Sequence, residues 1–442
     1  MKCLLPLALF ISSFGFSQTR TFPIPLPTRQ QLAWHEMEFY LFAHFGPNTF
    51  TDKEWGEGAE PENIFNPTNL DCRQWCRIAK AAGAKGIIIT AKHHDGFCLW
   101  PSKYSTHTVR ESKWKNGKGD LLKELSAACQ EYGLKFGVYI SPWDRNHPKY
   151  GTPAYNDVFV DMMKEIFTNY GPIWELWWDG ANGEGPNGKK QVYDWDRFKK
   201  TVRKLSPGTV IFSDVGPDIR WCGNEKGIAG ETNWNYLDTA GFTPGAGAPP
   251  IDTLNHGNEF GKNWIPAECD VSIRPGWFYH EQEDDKVKSP EQLFQLYMKS
   301  VGRGANLLLN VPPDRKGRIG GQDSAALIDF KKLRDQSFNK VYVQCNSENT
   351  VINFENLMRA NCIVLKESLN RGQKVSRFRI RVVDSNNNSE ELRGTTIGSK
   401  RIISFSTRVL KRLYLVIENY KGALVPEVSV SECLIPEDLI EK

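Results

Sequence analysis

Between residues 30 and 338, short apolar runs alternate with charged, amphipathic stretches of helical length. Strands that alternate with helices form parallel sheets, and this many βα units predict an α/β fold of the (β/α)8 TIM-barrel type. Residues 216–280 are rich in Gly, Pro, Trp and Asn, so we interpret them as long loops in which strands six and seven are poorly defined. The predicted strands are residues 39–45, 86–90, 135–141, 173–179, 209–214 and 305–311, and the predicted helices are residues 72–82, 119–132, 158–170, 195–205 and 290–301.

The periodicity changes after about residue 339, where turn signals separate short segments of alternating apolar and polar residues. The length of 442 residues also exceeds the usual size of one compact domain. We therefore predict a barrel domain at residues 18–338, followed by a small all-β sandwich domain at residues 339–442. We expect the second domain to pack against the barrel.

The first 17 residues have the pattern of a secretory signal peptide. Lys2 supplies the positive end, residues 4–16 form a short apolar core, and Gly15-Phe16-Ser17 is a small-x-small cleavage site. We therefore expect export to the periplasm or out of the cell. The apolar core is too short to span a membrane, and no later segment reaches about 18 apolar residues.

The net charge and the cysteine spacing give no support for nucleic-acid binding, membrane-surface binding or a cysteine metal site. A net charge of +4 over this length is close to neutral, so it gives no reason to expect nucleic acid or an anionic membrane surface as a partner. Removal of Cys3 with the signal leaves nine of the ten cysteines, and no CxxC or metal-ligand spacing occurs among them. We predict that most of them are buried thiols.

Four of the predicted strands end in polar, reactive residues. In a (β/α)8 barrel the carboxyl ends of the strands meet at one face, which carries the functional site. Four polar strand ends at the same face are hard to explain by packing alone. The first strand ends at His44, the second at His93 and His94, the third at Tyr139, and the fourth at Asp179.

The fourth strand end, Trp177-Trp178-Asp179-Gly180, indicates a sugar site. Indole faces stack on sugar rings, and a carboxylate at this position can attack a sugar carbon as a nucleophile. The chain has 14 Trp, several of them beside His, Asp and Gly, as an aromatic-lined sugar cleft would require. The alternative is that Asp179 caps a turn, as Asp-Gly sequences often do.

The histidines allow a second hypothesis, a metal-dependent hydrolase. Adjacent residues on an extended chain point in opposite directions, so His93 and His94 are poorly placed to chelate one ion. His44, His93 and a strand-end carboxylate could still assemble a site in three dimensions. The sugar hypothesis instead needs imidazoles that hydrogen-bond hydroxyl groups, and a structural role for any single histidine stays open.

Five motifs carry a resemblance to a known family. They are, in chain order, His44-Phe45-Gly46, Glu54-Trp55-Gly56, Lys92-His93-His94-Asp95-Gly96-Phe97, Trp177-Trp178-Asp179-Gly180 and Gly302-Arg303-Gly304-Ala305-Asn306-Leu307-Leu308-Leu309-Asn310-Val311. Together they resemble the α-L-fucosidases of glycoside hydrolase family 29 over residues 27–334. The resemblance implies a barrel followed by a β-sandwich, no cofactor and no metal. It also implies hydrolysis of α-L-fucosides with retention, with two catalytic carboxyls about 5 Å apart.

The resemblance assigns roles to individual residues. Asp179 matches the nucleophile, and His44, His93 and His94 match residues that bind the fucose hydroxyls. Trp177 resembles a pocket-wall tryptophan. The other residues expected to line or rim the pocket are Glu54, Trp55, Tyr139, Arg220 and Trp277.

Two glutamates are candidates for the general acid/base. Glu225 ends the motif Arg220-Trp221-Cys222-Gly223-Asn224-Glu225, which resembles the branch of the family that is selective for α-1,3/1,4-linked fucose. Glu231 follows six residues later in the same predicted loop. We assign Glu225 as the acid/base and Glu231 as a binding or supporting residue.

The expected partners are fucosylated oligosaccharides or glycoconjugates. The alternatives are a broad-specificity fucosidase acting on α-1,2 or α-1,6 linkages, and a non-catalytic sugar-binding barrel. A binding protein would keep the Trp and His residues and lose one carboxyl, whereas both candidate carboxyls are present here.

Overall fold

The computed structural model describes residues 24–245, 247–338 and 343–440. The predicted signal peptide at residues 1–17 lies outside these ranges, and the predicted domain boundary after residue 338 falls at the second gap. The strands are β1 Phe39–Ala43, β2 Gly86–Lys92, β3 Lys135–Ile140, β4 Glu175–Trp177, β5 Val210–Ser213, β6 Ile219–Trp221, β7 Tyr236–Leu237, β8 Asn263–Trp264, β9 Ala267–Ser272, β10 Asn306–Asn310, β11 Val343–Cys345, β12 Asn349–Glu367, β13 Val375–Asp384, β14 Ser389–Gly394, β15 Arg401–Tyr420 and β16 Val428–Cys433. The α-helices are α1 Arg29–His35, α2 Pro47–Thr51, α3 Cys72–Ala81, α4 Leu121–Tyr132, α5 Ala154–Asn169, α6 Trp195–Leu205, α7 Ile251–His256, α8 Pro290–Lys299 and α9 Gly321–Ser337.

Eight parallel strands close into a barrel in the order β1-β10-β9-β6-β5-β4-β3-β2. Every residue of β1, β2 and β10 is buried, because the strands face the barrel interior on one side and the surrounding helices on the other. This burial on both faces explains why these strands read as continuous apolar runs. The closed parallel barrel with its helices confirms the predicted (β/α)8 fold.

The two poorly defined strands of the prediction are β6 and β9, and both differ from the other barrel strands. β6 has only three residues, and the hairpin strands β7 and β8 and helix α7 intervene before β9. All six residues of β9 are buried, although Glu268, Asp270 and Ser272 are polar. Its inward-facing positions are therefore polar, and β9 does not form an apolar run.

Local sequence sets the helix ends that return the chain to the barrel. Asp120 caps α4 by accepting a hydrogen bond from the backbone N–H of Lys123, and Gly133 caps the other end after Tyr132 with a φ of 66° that suits glycine. Ser289 and Gln292 form a reciprocal capping box at α8, with Pro290 in the first turn. These caps determine where each helix stops and the next barrel strand can begin.

The C-terminal domain is all-β, as predicted. Its six strands form an antiparallel sheet in the order β11-β16-β12-β15-β13-β14, with register shifts within the long strands β12 and β15. Buried apolar residues from all of these strands except β14 form one hydrophobic cluster. Gln373 joins the domain to the barrel, because its Oε1 accepts a hydrogen bond from Asn235 N at 2.7 Å and its Nε2 donates to Asn233 O at 3.0 Å.

Two further predictions concern cysteines and membrane spans. The nine cysteines within the described ranges are buried free thiols, as expected. In the same part of the chain, no helix combines the length and the apolar character that crossing a membrane requires.

Candidate active site

A pocket opens at the carboxyl ends of the barrel strands and brings together ten of the twelve predicted site residues. The predicted residues that line it are His44, Glu54, Trp55, His93, His94, Tyr139, Trp177, Asp179, Glu225 and Trp277. Three lining residues were missed by the sequence analysis, namely Phe42, Ala181 and Asp270.

Asp179 follows β4 and is held by hydrogen bonds on both carboxylate oxygens. Oδ2 accepts from the hydroxyl of Tyr139 at 3.0 Å and lies 3.7 Å from Nε2 of His94, while Oδ1 accepts from the backbone N–H of Ala181 at 2.7 Å. Asp179 therefore caps its turn and also faces the pocket, so the two sequence interpretations coexist. A Cβ at position 180 would lie 2.8 Å from Oδ2 of Asp214, so any larger residue there would displace that side chain.

The three pocket histidines are buried in their neutral forms. Burial lowers the pKa of His44 to about 3 and that of His94 to about 4, and it lowers the pKa of His93 well below its ordinary value. Nδ1 of His44 lies 2.9 Å from Oδ1 of Asn310, and Nδ1 of His94 lies 2.7 Å from Oγ of Ser141. Each of these two rings is thus oriented through one nitrogen, and its Nε2 remains to contact a ligand.

The base of the pocket is a network of aromatic and acidic side chains. Trp177 stacks on Phe212 with ring centroids 3.9 Å apart, and its Nε1 donates to Oε1 of Glu268 at 2.8 Å. Glu268 also accepts from the hydroxyl of Tyr40. Burial, together with the neighbouring Glu268, raises the pKa of Glu175 well above its ordinary value, so this acidic pair retains a proton. Trp177 is therefore fixed in place by packing and by a hydrogen bond.

The mouth of the pocket carries Glu225, Trp277 and Trp55. Glu225 is exposed in the loop after β6, and its Oε2 accepts a hydrogen bond from Nε1 of Trp277 at 3.3 Å. Trp55 is 56% exposed and meets the ring of His94 edge-on, with centroids 5.5 Å apart. The exposed face of this indole is available at the pocket mouth for a sugar ring to stack on.

Glu54 holds the backbone of the loop after β9. Its Oε2 accepts from Trp277 N at 2.7 Å, and its Oε1 accepts from Phe278 N at 3.1 Å. Oε1 also lies 2.6 Å from Nε2 of His280. Glu54 thus lines the pocket and at the same time fixes the backbone that presents Trp277.

Asp270 is a buried carboxyl in this pocket that the sequence analysis missed. Nε1 of Trp221 donates to its Oδ1 at 2.9 Å. Burial and the negative charges of Glu225 and Glu268 raise the pKa of Asp270 well above its ordinary value. The signal in the sequence is the spacing Glu268-x-Asp270-x-Ser272, which places three polar residues on one face of a strand.

Arg220 lies outside the pocket, which contradicts its predicted role. Its guanidinium is fully buried behind β6 and donates to Leu254 O at 2.8 Å, to Trp234 O at 3.0 Å and to Oδ1 of Asn233 at 3.0 Å. It also donates to Ile265 O. These four hydrogen bonds and the complete burial of the side chain show that Arg220 braces the loop backbone away from the pocket.

Glu231, predicted to be a binding or supporting residue, also lies outside the pocket in this structure. Its side chain is 75% exposed and lies 3.6 Å from Arg303. Its backbone carbonyl accepts from Nη1 of Arg401 in the C-terminal domain at 2.6 Å. Glu231 therefore belongs to the contact between the two domains.

The metal hypothesis depends on a cluster of ligands. Across the ranges that the structure covers, no group of three or more His, Cys, Asp or Glu side chains is arranged to hold a metal ion. His44 and His93 instead lie against aromatic rings, with the ring of His93 parallel to that of Tyr139 at a centroid distance of 5.7 Å.

Comparison with known proteins gives one consistent result. The Alpha-L-fucosidase family profile matches residues 27–332. Alpha-L-fucosidase 1 of Arabidopsis thaliana is 40% identical over 435 residues, which cover 89% of this chain and 85% of the plant protein. The solved structure of a glycoside hydrolase 29 family member from an unknown rumen bacterium is 42% identical with a TM-score of 0.87, covering 94% of this chain and 78% of that one. A Ruminococcus gnavus GH29 fucosidase in complex with fucose is 26% identical with a TM-score of 0.84, covering 94% of this chain and 96% of that one.

Proposed function

Because this chain belongs to the α-L-fucosidases of glycoside hydrolase family 29, we propose that it removes terminal α-1,3- or α-1,4-linked L-fucose from glycans with retention of configuration. The observation that carries this proposal is that two carboxyl groups, those of Asp179 and Glu225, line the same pocket. Asp179 is oriented from behind, while Glu225 stands at the mouth, where a leaving group would depart. Retaining glycosidases use two carboxyls in this way.

In the first step, ionised Asp179 attacks the anomeric carbon and forms a fucosyl-enzyme, while Glu225 gives its proton to the departing glycosidic oxygen. The hydroxyl of Tyr139 holds Oδ2 of Asp179, so the nucleophile is positioned before the substrate arrives. In the second step, Glu225 takes a proton from water, and that water displaces the fucose from Asp179.

The neutral histidines supply the recognition that the reaction needs. A neutral imidazole can accept or donate one hydrogen bond at each nitrogen, whereas a charged one can only donate. Sugar hydroxyls both donate and accept, so neutral rings fit them better. The structure of the similar R. gnavus fucosidase is that of a complex with fucose. This supports fucose as the ligand of the pocket.

The linkage preference rests on the motif that ends at Glu225, which resembles the α-1,3/1,4-selective branch of the family. A panel of α-1,2-, α-1,3-, α-1,4- and α-1,6-fucosylated glycans beside nitrophenyl α-L-fucoside tests it by product analysis. We expect release of fucose mainly from the α-1,3 and α-1,4 glycans. Broad activity led by the nitrophenyl substrate would reject this preference in favour of a broad-specificity enzyme. Binding of fucose without turnover of any substrate would leave a sugar-binding protein.

We also propose that the enzyme is exported after cleavage between Ser17 and Gln18. The support is the Lys2, apolar core and small-x-small pattern of the first residues. Mass spectrometry of the N-terminus of the protein recovered from the periplasm or the medium tests this directly. A mature protein that still begins at Met1 would contradict it.

A further inference from the structure

Asp270 is the acidic residue of the pocket to which the proposed mechanism assigns no role. It lies on β9, which stands opposite β3 in the closed order of eight strands. It therefore faces the wall that carries Tyr139, across the space that a sugar ring would occupy. Its side chain is almost completely buried, with 5% of the residue exposed. Because it projects from a strand, its position is fixed more firmly than that of a residue on the loops at the mouth.

The hydrogen bonds of Asp270 leave one of its oxygens available. Nε1 of Trp221 donates to Oδ1 at 2.9 Å. Within the described ranges, no other residue forms a hydrogen bond with Oδ2, and this oxygen is not fully enclosed by protein atoms. A ligand in the pocket can therefore reach Oδ2 and form a hydrogen bond with it.

We propose that Asp270 is a substrate-binding residue whose Oδ2 donates a hydrogen bond to an oxygen atom of the fucosyl ring. This inference rests on the proposed function. Tyr139, on β3, meets the sugar from one side, and Asp270, on β9, meets it from the opposite side, next to Glu225. Trp221 then has a positioning role, because it holds Oδ1 and so directs Oδ2 toward the sugar.

The protonation state of Asp270 agrees with a donor role. Burial is the main cause that raises the pKa of Asp270 well above its ordinary value, with smaller contributions from the nearby acidic side chains of Glu225 and Glu268, and this favours the protonated carboxyl. The proton belongs on Oδ2, since Oδ1 already accepts from Trp221. A carboxylic acid held neutral in this way can donate to a substrate oxygen.

The test compares Asp270→Asn with Asp270→Ala and with Asp270→Leu, which keeps the branched shape of aspartate with two methyl groups in place of the oxygens. The readouts are the inhibition constant of L-fucose and the separate kcat and KM values for nitrophenyl α-L-fucoside. The amide of Asn can still accept from Trp221 and donate at the other atom, so we expect L-fucose binding within about threefold of the wild type. The Ala and Leu variants lose the donor, and we expect them to bind L-fucose about tenfold more weakly.

Two results would overturn the proposal. Wild-type affinity for L-fucose in both Ala and Leu variants would show that Asp270 does not contact the fucosyl ring. Equal losses in the Asn and Ala variants would show that Oδ2 does not act as a donor. Both differ from a failure of the proposed function, in which the wild-type enzyme itself would release no fucose from any fucoside.

Discussion

Replacement of Glu225 by alanine separates the two glutamates of the long loop by their chemistry. Glu225 is exposed, and its one hydrogen bond with a described side chain is the 3.3 Å contact with Nε1 of Trp277. Its removal should therefore leave the free energy of unfolding nearly unchanged. The expected loss is catalytic, about 10²- to 10⁴-fold in kcat/KM on a glycan, or about 3–5 kcal/mol of transition-state stabilisation.

The size of this loss should depend on the leaving group. A sugar alkoxide needs a proton as it departs, whereas nitrophenolate is a stable anion and leaves without one. Glu225→Ala should therefore be impaired much more on a fucosylated glycan than in the first step on nitrophenyl α-L-fucoside. Azide should then restore turnover of the aryl fucoside, because it attacks the fucosyl-enzyme without needing a general base.

The configuration of the azide product identifies which carboxyl was removed. In Glu225→Ala, azide enters from the side of the missing glutamate and gives α-L-fucosyl azide. In Asp179→Ala, azide can replace the nucleophile and gives the β product. NMR of the fucosyl azide distinguishes the two.

Glu231→Ala is the matched control, since it removes an equivalent carboxyl from the same loop. Glu231 lies outside the pocket, with its side chain near Arg303, so we expect activity within about threefold of the wild type. The assignment of Glu225 would be refuted if azide rescued Glu231→Ala and had no effect on Glu225→Ala.

Three other perturbations follow from the same structure. Tyr139→Phe removes the 3.0 Å hydrogen bond to Asp179. Because hydrogen bonds to charged groups are worth about 1.5–3 kcal/mol, kcat/KM should fall about 10- to 100-fold. A change below threefold in steady-state kinetics would contradict this role. Burial lowers the pKa of His35 to about 3, below the unfolded value of about 6.5, so its neutral ring contributes stability that is present above pH 6.5 and lost as the pH falls. At pH 5 the loss is about 2 kcal/mol, and denaturant unfolding of His35→Phe between pH 7 and pH 5 should show a correspondingly weaker pH dependence; an unchanged dependence would contradict it. Treatment with EDTA followed by dialysis should leave the rate of fucoside hydrolysis unchanged, and a loss that divalent ions reverse would revive the metal hypothesis.

The sequence predicted those parts of the barrel where local chemistry and burial agree. Strands β1, β2 and β10 are apolar because both of their faces are covered, and their ends are polar because they open onto the pocket. The same rule, together with the polar ends of the other strands, predicted that Asp179 lies at the functional face of the barrel. At these places the local amino-acid pattern is sufficient to predict the environment of each residue in the folded protein.

The sequence was insufficient where a residue's direction depends on distant loops. Asp270 was missed because its strand alternates polar and apolar residues and so does not form an apolar run, and the spacing Glu268-x-Asp270-x-Ser272 does not by itself show that these residues are buried. Arg220 and Glu231 were placed in the pocket because they lie near Glu225 in the chain. Arg220 instead points behind β6, toward carbonyl groups from residues 13 to 45 positions further along the chain. Proximity in sequence therefore does not predict proximity to the sugar in an irregular region.

Arg220 nevertheless has a consequence for the site, because it ties together the two ends of the loop that carries Glu225. The residue itself stands on β6, where the loop begins, and its guanidinium holds Oδ1 of Asn233 and Trp234 O, where the loop ends. The C-terminal domain holds the same end through Oγ1 of Thr396, which accepts from Asn233 N at 2.9 Å, and through Gln373. A fixed loop end reduces the conformations that an exposed acid/base residue can sample, and catalysis requires that residue to be placed closely. The C-terminal domain thus supports the pocket from outside, through the loop of Glu225, and its effect on activity should pass through the positioning of that one carboxyl.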